Sequence, residues 1–132
     1  MRSIIKLSVM LPAPADQLFD MYLDPKVHAA ITGAKVKIGK RAGTRFSAFG
    51  GALSGSTLAV EPGTLIVQSW RSSNFKRTDP DSTLVLLFRP KGVHGRIDLI
   101  HLDVPDHDYD GVTKGWRKYY WTPWRRYLST RK

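Results

Sequence analysis

The chain of 132 residues contains no cysteine. That excludes disulfides and thiolate chemistry, and it fits a reducing cytoplasm. Acid is scarce: 11 acidic residues face 21 Lys and Arg, for a formal net charge of +10. Glu61 is the only glutamate and falls where a strand should meet a turn, while the aspartates fall mostly at caps and turns. No Gly-x-Ser-x-Gly or phosphate-loop pattern occurs, so a hydrolase or transferase gains no positive support. No apolar run approaches the ~18 residues that span a bilayer.

What is present is an ordinary globular composition, 42% hydrophobic and 24% charged, in a length that suits one domain over residues 1–132. Ile5, Leu7, Val9 and Leu11 alternate as a strand does, and Lys6 interrupts what would otherwise resemble a secretory signal. Pro14 suits the first turn of a helix whose apolar stripe is Leu18, Phe19, Tyr22 and Leu23. Asp24-Pro25 then caps and starts a second short helix with Val27, Ala30 and Ile31 inward, and Gly33 ends it.

Beyond residue 34 the period falls to two. Strands are predicted over residues 34–38, 44–49, 53–61, 65–72, 82–89 and 96–104, with short Gly- and Pro-marked gaps that suit antiparallel hairpins. Gly55, like Gly50 and Gly51, reads as hairpin punctuation. The tail over residues 109–131 is the longest helical pattern. Steps of 100° put Tyr109, Val112, Trp116, Tyr119, Tyr120, Pro123 and Tyr127 on one face. Asp106, Asp108 and Asp110 crowd its start, and Arg125, Arg126, Arg131 and Lys132 its end, as the helix dipole favours. Pro123 should loosen or kink it. The predicted class is therefore α+β. It is a helix-grip fold, in which a curved antiparallel sheet of about seven strands wraps a long C-terminal helix and two short helices follow the first strand.

Several segments carry a family likeness. They are Phe19 and Leu23 before Asp24-Pro25, His28-Ala29-Ala30-Ile31-Thr32-Gly33, Val67-Gln68-Ser69-Trp70-Arg71, His101-Leu102-Asp103-Val104-Pro105, and Gly115-Trp116 through Pro123-Trp124. In this order and spacing the chain resembles the activator of heat shock protein 90 ATPase homologues, within the START/SRPBCC superfamily. The resemblance covers nearly the whole chain. It implies an apolar cavity between sheet and helix and a chaperone as a protein partner; with no catalytic pattern in the residues, the chain is read as a non-enzymatic binding domain without a cofactor.

Strand alternation puts Leu84, Leu86 and Phe88, then Ile97, Leu99 and His101, then Gln68 and Trp70 on the inner face. The ligand-binding candidates are Trp70, Phe88, Leu99, His101, Trp116 and Tyr120, with His101 and Tyr120 giving the polar contacts and Phe46 or Phe49 closing the mouth. The rings of Trp116, Tyr119 and Tyr120 either leave this space open for a small apolar or amphipathic molecule or fill it. Trp121, Trp124 and Leu128 lie at one edge of the helix, where they either pack under the helical pair or form a patch for a partner. Lys114, Lys118 and Arg125 point away from Trp116, and Lys35, Lys37, Lys40, Arg41 and Arg45 form a second basic cluster. Cations outside and rings inside describe a solvated face, so specific nucleic-acid binding is not expected. His101-x-Asp103 and His107-Asp108 are the only metal candidates, and they fall short of the three or four convergent ligands zinc requires.

Overall fold

The structure, a computed structural model, describes residues 2–130. Seven strands form one antiparallel sheet in the order β1-β7-β6-β5-β4-β3-β2. They are β1 (Arg2–Leu11), β2 (Val36–Lys37), β3 (Arg45–Ala48), β4 (Leu53–Glu61), β5 (Leu65–Ser72), β6 (Ser82–Lys91) and β7 (His94–Pro105). Each strand from β2 to β7 pairs with the next, and β1 closes against β7. Between β1 and β2 run α1 (Ala15–Leu23) and α2 (Pro25–Thr32). Asp24 accepts from the N–H groups of Lys26 and Val27, and Gly33 ends α2 in the left-handed conformation.

Alternation decides the core. In β5 the inward set is Ile66, Gln68, Trp70 and Ser72; in β6 it is Ser82, Leu84, Leu86 and Phe88; in β7 it includes Ile97, Leu99 and His101. The helices pack on this face, α1 against β6 and β7, and the C-terminal helix beside α2 and β1. The predicted fold is the one observed. β4 and β5 have the predicted bounds, whereas the second and third strands are shorter, the third because the chain turns with positive φ at Phe49, Gly50 and Gly51. Gly55 is no hairpin residue: it sits inside β4 opposite Phe46 and Trp70. A Cβ there would stand 1.8 Å from the Ser69 carbonyl oxygen and 2.7 Å from the Phe46 ring, the close approach that puts glycine inside a strand.

The C-terminal helix differs most from its prediction. It runs as α3 (Tyr109–Gly115), a π-helical segment (Trp116–Trp121) and α4 (Thr122–Thr130). Arg131 and Lys132 lie outside the described residues. Thr122 N–H reaches back to Arg117 O, a five-residue step, immediately before Pro123. Pro123 has no N–H to give, and its ring crowds the preceding turn, so the backbone widens there. Residues in a π turn advance by less than 100° each, and the wheel slips. Tyr119 turns outward to 47% exposure, while Trp121 and Trp124 turn inward to 6% and 1%. The exposed tryptophan patch is therefore absent. Trp124 stacks on Tyr22 of α1 at 6.5 Å, and Trp121 on Trp116 at 5.6 Å.

Candidate functional site

Where β5 ends and β4 begins, helix and sheet part and leave a cleft of about 440 Å³. Its aromatic lining comes from Phe49, Trp70, Trp116, Tyr119 and Tyr120, and its polar lining from Ser72, Ser73, Asn74 and Asp108. Trp70 arrives from the inner face of β5, and Trp116 and Tyr120 from the π segment, one turn apart. Phe49 is held with φ at 52°, followed by Gly50 and Gly51 at 65° and 93°. A bulky residue is strained in that region. The strain sets the Phe49 ring against Tyr119 at 5.5 Å and Tyr120 at 6.2 Å.

Directed hydrogen bonds fix the Trp116 and Tyr120 rings from behind. An indole N–H can only donate and a carbonyl oxygen can only accept, which settles the direction of the chain between them. Trp116 Nε1 donates to His101 Nδ1 at 3.3 Å, His101 Nε2 donates to Ser82 Oγ at 2.8 Å, and Ser82 Oγ donates to Trp70 O at 2.6 Å. His101 is thereby the neutral Nε2–H tautomer, and burial pushes its pKa down to about 3. A second chain ends on Tyr120. His28 Nδ1 donates to Tyr22 O at 2.8 Å, so Nε2 accepts from the Tyr120 hydroxyl at 3.0 Å. Burial lowers His28 to about 4, against the opposing backbone bond, and raises the Tyr120 phenol above its usual value. Tyr22 Oη donates to Gln68 Oε1, and Gln68 Nε2 donates to Thr57.

Of the six candidate residues, the structure brings Trp70, Trp116 and Tyr120 to the cleft wall. His101 stands directly behind them, 4.6 Å from the Trp70 ring. Phe88 and Leu99 do not line it. Phe88 is 2% exposed and packs edge-on against Phe19, and Leu99 lies between Leu7 and Leu86 in the sheet. Alternation predicted their inward facing correctly. Helix α1 packs over that part of β6 and β7, and this cleft opens at the other end of the inner face. The polar atoms of His101 and Tyr120 are spent on internal partners, so the polar contacts available in the cleft belong to other residues. Phe49, not the buried Phe46, stands at its mouth.

The polar lining was hidden in the sequence, where Asp108 reads as a helix-start acid and residues 72–74 as a turn. Arg71 donates to Lys76 O at 2.7 Å and Asp79 O at 2.7 Å, and pairs with Asp81 at 3.1 Å. His107 reaches Asp79 Oδ2 at 3.0 Å. The loop after β5 is thus tied both to its own strand and to the 3-10 turn (Asp106–Asp108) that carries Asp108. Asp108 is 8% exposed, with Ser72 against its carboxyl group. Burial raises its pKa, opposed by His107 and by Ser72. Its Oδ2 has no hydrogen-bond partner. His107 and Asp108 are therefore engaged with different neighbours, and Asp103 lies exposed while His101 is buried.

A seven-stranded sheet gripping one long helix, with aromatic rings meeting at an open end, has counterparts among known proteins. An HSP90 activator from Plasmodium falciparum superposes with a TM-score of 0.86 over 96% of both chains, at 19% identity. A Mesorhizobium loti protein superposes at 0.84 over 98% of this chain and 99% of its own, at 18% identity. In sequence, 101 residues are 23% identical to an activator of 90 kDa heat shock protein ATPase homolog from Dictyostelium discoideum. That match takes 76% of this chain but only 26% of the relative, so the chain spans about a quarter of that protein. The profile of one family runs from residue 12 to residue 128, through both short helices, the sheet and the gripped helix. On that match the chain belongs to the Activator of Hsp90 ATPase homolog 1-like protein family, within the SRPBCC superfamily.

Proposed function

We propose that this domain is a non-enzymatic binding module that holds a small apolar or amphipathic molecule in the cleft between the sheet and the C-terminal helix. The supporting observation is the cleft itself. Its volume of about 440 Å³ falls in the size range of small-molecule sites, and a few polar groups beside several rings is the composition such sites use. Trp116 and Tyr120 are pre-set by hydrogen bonds behind them, and Trp70 by edge contacts with His101 and Phe75, so a guest would meet an ordered wall with little side-chain freedom left to lose. The test is a thermal-shift screen of fatty acids, flavonoids and sterols, followed by chemical-shift mapping of each hit. A true ligand moves the Trp70 and Trp116 indole signals and leaves Trp124 unmoved. A guest at one hundred times its Kd stabilises the fold by about 2.7 kcal/mol. If no compound raises the melting temperature, the reading fails.

A second reading is docking on a protein partner such as a chaperone, and the names of the Dictyostelium and Plasmodium relatives favour it. With Trp121 and Trp124 buried, such a surface consists of the exposed basic residues Lys114, Arg117, Lys118, Arg125 and Arg126. It would be electrostatic and rim-like, giving association that weakens with salt.

A further inference from the structure

Asp108 presents a buried acceptor with nothing to accept. A carboxylate oxygen shielded from solvent and left without a donor is costly, and native structures contain few of them. Asp108 Oδ2 is one of three buried side-chain polar atoms without a partner among the described residues. The other two are the Nε1 groups of Trp121 and Trp124, and neither residue lines the cleft. Asp108 does line it, next to Ser72, Ser73 and Asn74. Its carboxyl makes no capping bond to the helix that begins beside it. On its other side Gly111 leaves room, since a Cβ there would stand 3.0 Å from Oδ1.

We propose that the cleft selects molecules with a protonated amine on a flat apolar ring body, the nitrogen donating to Asp108 Oδ2 and the ring lying against Trp70 and Trp116. This rests on the ligand-binding reading above and narrows it to a chemical class. A cationic nitrogen satisfies the orphan oxygen and neutralises a buried charge in one contact. The faces of the tryptophan rings attract a cation as well. The charge of the whole protein, +10, opposes a cation at long range. That field is screened beyond ~8 Å at physiological ionic strength, whereas Asp108 acts in contact. An anionic ligand meets the reverse: attraction from the exposed Lys118, whose Nζ lies 5.2 Å from the Tyr119 ring at the other side of the cleft, and direct repulsion from Asp108 at the polar end of the site.

Three probes on one ring separate these cases: 2-naphthylmethylamine, 2-naphthylmethanol and 2-naphthylacetate, each titrated at pH 7 in 150 mM salt with the Trp70 and Trp116 indole signals followed. The amine should bind about tenfold tighter than the alcohol, the scale of one charge-assisted hydrogen bond, with the acetate weakest. In Asp108→Asn the amine should fall to within about twofold of the alcohol. Asp110→Asn, which removes an exposed charge outside the cleft, should leave the order intact. Equal binding of all three probes at the two indoles would keep the cleft as a ligand site and overturn the amine preference, as would tightest binding by the acetate. Binding of none, or shifts that avoid both indoles, would remove the ligand reading and this inference with it. The wild-type series decides the matter even if Asp108→Asn does not fold.

Discussion

At the scale of single residues, the two internal histidines make the sharpest predictions. His28 and His101 are buried neutral, with pKa values lowered by burial from 6.5 to about 4 and about 3. Between pH 6.5 and those values the unfolded chain binds protons that the folded chain does not, so stability must fall as pH falls. The loss should be on the order of several kcal/mol between pH 7 and pH 4. Urea unfolding across that range would measure it, and a flat profile would mean that both rings take up their protons within the fold. Trp116 joins the His101 chain to the cleft and is 2% exposed. Trp116→Ala should cost about 3–5 kcal/mol, as core aromatic truncations do, and a loss below ~1 kcal/mol would contradict its placement. The inward facing of Gln68, Trp70 and His101 was legible because a strand has a strict period of two. Which inward residues border open space was not legible, since Phe88 and Trp70 look alike until α1 is seen to pack over one part of the sheet. Nor could the sequence show that Asp108 lacks a donor, because that depends on where Ser72 and Gly111 come to rest.

At the scale of elements, the bounds that held are those with strong local chemistry. Pro62-Gly63 separates β4 from β5, and Asp24-Pro25 and Gly33 bracket α2. The gripped helix went astray because a helical wheel assumes 100° per residue, and the backbone ahead of Pro123 does not supply it. One slipped turn exchanged the places of Tyr119 and Trp121 and turned an apparent edge into core. Gly55 is the other misreading: a glycine inside a strand looks like a turn residue until the neighbouring backbone is known. The physical demand on it is severe. A methyl group at 1.8 Å from Ser69 O overlaps backbone that cannot rotate away, so the β4–β5 ladder must part. Gly55→Ala should therefore destabilise by about 3 kcal/mol, the upper end of the range for overpacking. Equilibrium denaturation measures this, and a near-neutral result would show that the two strands are not in the register Gly55 opposite Trp70.

At the scale of the whole molecule, the charge of +10 poses the question of nucleic acid, and the expectation of weak, unselective binding rests on how the fold separates rings from cations. Binding of single strands without sequence preference needs aromatic faces interleaved with phosphate contacts on one surface. Here Trp70, Trp116, Tyr120, Trp121 and Trp124 are buried, while Lys114, Arg117, Lys118, Arg125 and Arg126 are exposed. Lys35, Lys37, Lys40, Arg41 and Arg45 are likewise exposed around β2 and β3, where no ring is exposed with them. Tyr119 alone is an exposed ring among the cations, with Lys118 Nζ 5.2 Å from its centre, and one ring cannot make a stacking platform. On this arrangement any binding would rest on counterion release, which carries no sequence information and fades steeply with salt. Labelled single-stranded and duplex oligonucleotides, titrated at 50 and 200 mM salt, should therefore bind weakly and without regard to sequence. A site touching six phosphates or more would lose about a thousandfold in affinity over that range. Tight binding that distinguishes sequences and persists at the higher salt would require base contacts from residues the fold holds inside, and would show that the gripped helix opens.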